Sequence, residues 1–139
     1  MKVLIDTNVI LDVLTRREPH YRQSSLFLRQ CGNSVTGCIA SSQTTDIFYI
    51  LMRYGLDADS SRNAIKTLVN HVRLVDVTPD DVHNALMSNM SDFEDALLAY
   101  CAERQKAGFI VTRNINDFKH SPITATTPQE LLTKLKPSL

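Results

Sequence analysis

The chain has 139 residues, 43% of them hydrophobic, which fits one globular domain with a buried core and supports the expectation of a single domain over residues 1–139. Fifteen basic residues balance fifteen acidic ones, which excludes the strongly basic surface of a non-specific nucleic-acid binder and confines any nucleic-acid contact to local clusters or to bound metal. No stretch approaches the roughly 18 uninterrupted apolar residues of a membrane span, and Asp6 follows Val3-Leu4-Ile5 too soon for a secretory leader, so a soluble, cytoplasmic protein without a membrane partner is expected.

Val3-Leu4-Ile5 predicts a first strand, and Val9, Ile10, Val13 and Leu14 follow at helical spacing until Pro19. Leu26, Phe27 and Cys31 continue a second helical pattern ending at Gly32, after which Ser34 to Ala40 reads as a strand. Ser41 or Ser42 is placed to cap a helix whose apolar stripe is Ile47, Ile50, Leu51 and Tyr54, with Gly55 as its stop. A helix from about Asp59 to His71, a strand over 72–77 and a helix opened by Thr78 and Pro79 come next. Asp92 is the expected cap of a helix running through Lys106 and closed by Gly108. Phe109 to Thr112 is a fourth strand, Ile123 to Ala125 a candidate fifth, and Thr127-Pro128-Gln129-Glu130 has the form of a capping box. Short strands separated by helices, without tight hairpin signals, predict an α/β fold: a three-layer sandwich with a mostly parallel four- to five-stranded sheet flanked by helices.

In such open sheets ligands bind outside the carboxyl ends of the strands. Asp6 follows the first strand, Asp46 lies in the helix after the second, Asp95 in the first turn of its helix and Asp117 just beyond the fourth strand, so all four are expected at one edge. Each has an ordinary structural alternative: Asp6 as an N-cap, Asp46 as a solvated acid on a helix where aspartate is a poor former, Asp92 and Asp95 as first-turn residues stabilised by the helix dipole, Asp117 as a turn residue. Asp12, six residues past Asp6, points away on the same helix and reads as surface or structural. The histidines His20, His71, His83 and His120 lack zinc-site spacing. Cys31, Cys38 and Cys101 are odd in number and form no Cys-x-x-Cys, so buried free thiols are expected. No Gly-rich phosphate loop is present, which removes P-loop nucleotide hydrolysis.

The blocks Ile5-Asp6-Thr7-Asn8, Thr45-Asp46-Ile47-Phe48-Tyr49, Asp92-Phe93-Glu94-Asp95-Ala96 and Thr112-Arg113-Asn114 with Asp117-Phe118, in this order over nearly the whole chain, resemble the PIN-domain nucleases. The resemblance implies a parallel sheet between helices and an acidic Mg²⁺ or Mn²⁺ pocket that cuts RNA. In the VapC-type toxin branch it further implies a homodimer silenced by a small antitoxin protein. Two positions depart from the family pattern: the second acid is usually glutamate, where this chain has Asp46, and Asn114 stands where some relatives have an acid.

Carboxylates gathered in one pocket repel one another unless divalent cations neutralise them, and oxygen-only ligands suit Mg²⁺ or Mn²⁺ rather than zinc. Asp6, Asp95 and Asp117 are the expected metal and catalytic acids, with Asp46 as ligand or base. Asn8, Ser42, Asp92, Thr112 and Asn114 are supporting candidates, with Thr112 and Ser42 able to order waters or phosphate oxygens. Arg113, Lys119 and Arg53 are candidates for positioning the RNA backbone. Two other readings stand beside the nuclease: a non-catalytic PIN-fold module that binds RNA or protein, and a small-molecule phosphohydrolase, which would want an Asp-x-Asp after the first strand where this chain has Asn8.

Overall fold

A computed structural model describes residues 1–135; residues 136–139, the end of the expected domain, lie outside the described residues. The chain order is β1 (Lys2–Ile5), α1 (Thr7–Leu14), α2 (Tyr21–Gln30), β2 (Thr36–Ala40), α3 (Gln43–Arg53), α4 (Ala58–Leu68), β3 (Arg73–Val75), α5 (Pro79–Leu86), α6 (Phe93–Arg104), β4 (Phe109–Val111), a 3-10 turn (Ile115–Phe118), β5 (Ala125–Thr126) and α7 (Pro128–Leu135). The five strands are all parallel and lie in the order β3-β2-β1-β4-β5. Among the described residues no helix is long and apolar enough to cross a membrane.

The sheet separates two apolar layers because successive side chains of a strand point to opposite faces. Val3 and Ile5 of β1 pack with Val9, Ile10, Phe27, Ile39, Ile47, Leu51 and Leu131 on one side, and Leu4 packs with Cys38, Ala40, Leu98, Ala99 and Ile110 on the other. Covered on both faces, the central strand is apolar and buried from Val3 to Ile5, the pattern of parallel sheets. Gly37 in β2 is demanded by close approach: a Cβ there would stand 2.6 Å from Cys31 Sγ and 3.0 Å from Ile5 Cδ1. All three cysteines are buried free thiols, as expected, and burial pushes Cys31 up to about 12 and Cys101 to about 11.

The chain winds from β1 outward through β2 to β3 and then returns to place β4 on the other flank of β1. The crevice at the carboxyl ends of β1 and β4 is therefore the switch point of the sheet, where ligands of open α/β folds bind. The side-chain amide of Gln43, almost fully buried, ties this edge together. It donates to Ile5 O (2.8 Å) and Thr7 Oγ1 (3.1 Å) and accepts from Ala40 N (2.7 Å), joining the ends of β1 and β2.

Several local expectations are corrected. Neither Ser41 nor Ser42 caps α3 with its side chain; Ser41 Oγ instead donates to Val75 O at 3.1 Å. The helix expected from about Asp59 to His71 runs from Ala58 to Leu68, capped by Asp57, which accepts from Ser60 N. α6 ends at Arg104, and Lys106 at φ +57° rather than Gly108 makes the left-handed turn, because Gly108 N is committed to Lys2 O at 2.8 Å. Thr78 caps α5 with Pro79 in its first turn, as expected, and Asp81 adds the reciprocal bond of a capping box. The box at Thr127 is half made: Thr127 Oγ1 accepts from Glu130 N, while Glu130 Oε2 turns to Thr126.

Candidate functional site

Asp6 occupies the N-cap position of α1 without capping it; its Oδ2 instead accepts from the buried hydroxyl of Thr112, 2.8 Å away at the end of β4. Burial raises its pKa, the hydrogen bonds from Thr112 and Thr7 oppose that, Asp117 adds to the rise and Arg113 lowers it. The structural alternative for Asp6 thus fails at the side chain, which is held across the switch point. Asn8 extends the link, donating to Thr112 Oγ1 at 3.4 Å and accepting from Arg113 N at 3.4 Å, while Asn114 N donates to Thr112 Oγ1 at 3.0 Å. The Thr112 hydroxyl is therefore spent on Asp6 rather than turned toward water.

Across the crevice, Asp92 caps α6 by accepting from Asp95 N at 2.9 Å, which leaves the Asp95 carboxyl free in the first turn. Asp95, half-buried, is pushed up to about 7, first by desolvation and then by Asp6, Asp92, Asp117 and Glu94. Asp117 is exposed in the 3-10 turn beyond β4. Glu94, unforeseen from sequence, is also raised, by partial desolvation, then by the charge of Asp46 and a hydrogen bond with it, then by Asp92 and Asp6. Asp46 itself lies exposed in the first turn of α3, not mid-helix, so the helix N-terminus favours the carboxylate there. The four expected aspartates thus share one edge, with Asp6, Asp95 and Asp117 mutually felt and Asp46 joined to them through Glu94.

The gathering is looser than expected: among the described residues no three His, Cys, Asp or Glu side chains stand close enough to hold an ion between them. The upward shifts at Asp6, Glu94 and Asp95 come first from burial, and the like charges around them add to it. The donors are carboxylates with amide and hydroxyl oxygens beside them, a hard set whose chemistry suits Mg²⁺ or Mn²⁺.

Of the expected cations, Arg113 follows Thr112 and lines a cleft with Asn114, Ile115, Asn116 and Asp117. Lys119 is exposed just after the 3-10 turn. Arg53 is not brought to the site: it ends α3, roughly 10 Å along the helix from Asp46 at 1.5 Å per residue. Ser42 is exposed at the start of α3. Of the two readings of Asp12, surface or structural, the structure supports the second: it is fully buried, in ion pairs with Arg113 and Arg17. Gln43 and Glu94 went unrecognised; the signal for Glu94 was the acidic first turn Asp92-Phe93-Glu94-Asp95.

The PIN-domain profile matches residues 2–116. Ribonuclease VapC1 of Aquifex aeolicus is 25% identical over 135 residues, covering 93% of this chain and 92% of that protein. The solved VapBC2 of Rickettsia felis, bound to a DNA fragment from its promoter, superposes at a TM-score of 0.67 with 16% identity, over 91% of this chain and 98% of that one. A toxin–antitoxin complex from Klebsiella pneumoniae gives 0.69 with 18% identity, over 91% and 97%. A profile that runs from β1 into the turn bearing Asn116, on a fold whose acids meet at the switch point, leaves one assignment: the chain belongs to the PIN-domain family.

Proposed function

We propose that this protein is a single-domain, divalent-metal-dependent endoribonuclease acting in the cytoplasm as the toxin of a toxin–antitoxin pair. The observation that carries the reading is the excess of carboxylate at the switch point of a PIN-family chain, where Asp95 is pushed up to about 7 by burial and then by Asp6, Asp92, Asp117 and Glu94. Likeness to Ribonuclease VapC1 supports RNA as the substrate, and the VapBC complexes among the fold's neighbours support a small antitoxin partner.

Asp6, Asp95 and Asp117, with Asp46, are the residues to hold Mg²⁺ or Mn²⁺. When bound, the ion supplies Lewis acidity toward the phosphodiester and offsets the charge that develops at phosphorus. Thr112 fixes Asp6 by one oxygen and leaves the other for the pocket. Asp92 spends its carboxylate on the backbone of α6 and so keeps the Asp95 carboxyl free. Glu94, raised first by partial desolvation and then by the charge of Asp46, adds a further carboxylate to this edge. Arg113 and Lys119, at the rim, position the phosphate backbone.

The test is cleavage of single-stranded RNA with Mg²⁺ or Mn²⁺ against an EDTA control, together with calorimetric titration of Mn²⁺ into the parent, Asp6→Asn and Asp95→Asn. Cleavage that needs metal, and weaker Mn²⁺ binding in both variants, is expected; RNA left intact by a parent that binds RNA would favour the non-catalytic module. We propose in addition a homodimer, to be checked by light scattering across micromolar concentrations, where a monomer mass throughout would exclude it.

A further inference from the structure

Asp12 is the puzzle left by the site. A carboxylate with no exposed surface is costly unless paired, and this one faces two guanidinium groups from different parts of the chain: Arg17 after α1 and Arg113 after β4. The two partners differ in kind. Arg113 Nε donates to Asp12 Oδ2 at 2.6 Å, a short charge-assisted hydrogen bond. Arg17 Nε stands 3.7 Å from Oδ1, too far for one, and its terminal amine is spent elsewhere, donating to Tyr54 OH at 2.6 Å with the guanidinium over the Tyr54 ring.

One carboxylate against two guanidinium groups leaves the cluster a net positive charge, and Arg113 is the member that reaches the edge of the site. Its Nε is occupied, while its terminal amines have no acceptor among the described residues. Its side chain walls two spaces: the cleft of about 600 Å³ shared with Asn116 and Asp117, and a cavity of about 250 Å³ shared with His20, Gln23, Thr127 and Gln129. Its backbone is joined to the acids through Asn8, Thr112 and Asp6. A guanidinium anchored by Nε presents its remaining fork without further rotamer loss, the geometry suited to phosphate.

We propose that Asp12 is a positioning residue that fixes Arg113 by its Nε, so that the free amines grip a phosphate of the RNA strand beside the acidic pocket. The inference rests on the ribonuclease reading above. A buried pair kept only for stability is replaceable by apolar side chains at little cost, whereas a held phosphate clamp needs both charges.

The probe is a fluorescently labelled, mixed-sequence single-stranded RNA, with KM and kcat measured at several NaCl concentrations. Arg113→Gln is expected to raise KM about tenfold, leave kcat within about threefold, and flatten the slope of log KM against log salt by about 0.7, the loss of one phosphate contact on a single strand. Asp12→Asn is expected to do the same, although it removes a negative charge and on net charge alone would tighten RNA binding. The double variant is expected to be no worse than Arg113→Gln, with Mn²⁺ affinity unchanged within about twofold in each. Asp12→Asn that binds RNA as tightly as the parent, or effects that multiply in the double variant, would overturn the proposal. Should Asp12→Asn fail to fold, Arg113→Lys decides: it keeps the charge but lacks the fork, so a parental KM and slope refute the clamp and a tenfold rise supports it. If the parent binds this RNA without cutting it, the same variants are compared by fluorescence anisotropy; weakened binding upholds the clamp while the ribonuclease reading falls, and a parent that binds no RNA overturns both.

Discussion

Replacing Asp95 by asparagine is expected to stabilise the metal-free protein while removing its response to metal. The displacement of its pKa from 3.8 to about 7 would correspond at full burial to ~4 kcal/mol. The carboxyl is only half-buried, so water and salt screen the interaction and ~1–2 kcal/mol is the realistic scale. Asparagine also forfeits a favourable charge in the first turn of α6, worth ~0.3–1 kcal/mol. Desolvation, together with repulsion from Asp6, Asp92, Asp117 and Glu94, outweighs the dipole, leaving a net gain of about 1 kcal/mol and a melting temperature higher by roughly 2–4 °C. The sign follows from the folded-state pKa lying above the unfolded one: ionising Asp95 costs stability above about pH 7, and the cost fades as pH falls toward the unfolded value near 4. The gap between variant and parent in EDTA should therefore be full at pH 8 and nearly closed at pH 4. Thermal melts at both pH values, with and without Mn²⁺, read this directly. A variant that melts below the parent in EDTA at pH 8, or a gap equal at both pH values, would refute the repulsion argument.

Asp46→Asn is expected to slow RNA cleavage about 100-fold at saturating Mg²⁺, on the scale of a lost charge-stabilising group, and Asp46→Glu to change it in either direction; parental rates in both variants would reduce Asp46 to a surface residue. Gly37→Ala should cost about 1–3 kcal/mol by chemical denaturation, because the new methyl meets Cys31 and Ile5 in a filled core, and an unchanged midpoint would show that Cys31 swings aside freely. Arg104→Met strips the almost fully buried Asp81 of two hydrogen bonds at 3.0 and 3.1 Å and is expected to cost about 3 kcal/mol at pH 7. Desolvation alone would raise the Asp81 pKa, but Arg104 and Thr78 hold it below the usual range. Its stabilisation is thus present above about pH 4 and lost as pH falls through the lowered value. Denaturant melts of the parent and Arg104→Met should accordingly converge in acid, and a constant difference would count against the pairing.

The strands, their order along the chain and the edge that gathers Asp6, Asp46, Asp95 and Asp117 were legible because they rest on local signals: apolar runs, caps and the rule that crossover helices start at carboxyl ends. What escaped reading was non-local. Helical rotation correctly turned Asp12 away from Asp6, but away from the pocket meant into the protein, where Arg113 arrives from 101 residues later. Gln43 looked like one polar residue in a polar run, and only the adjacency of β1 and β2 gives its amide three partners. Glu94 was hidden in plain sight, since its significance comes from Asp46 on another helix. Lys106 takes the left-handed conformation that glycine adopts more readily, while Gly108 two residues on is bonded to β1.

The central place of β1 sets a clock on the molecule's birth. Its first flank, β2, leaves the ribosome soon after it, but its second, β4, and the turn carrying Asp117 come about 110 residues after Asp6. At roughly 5–20 residues per second, some 6–20 s separate the synthesis of the two acids. Throughout that interval one edge of the innermost strand stays open and Asp6 lacks both Thr112 and Asp117. A chain still on the ribosome therefore lacks the assembled acidic edge throughout that interval, and an unpaired apolar strand edge stays exposed for as long.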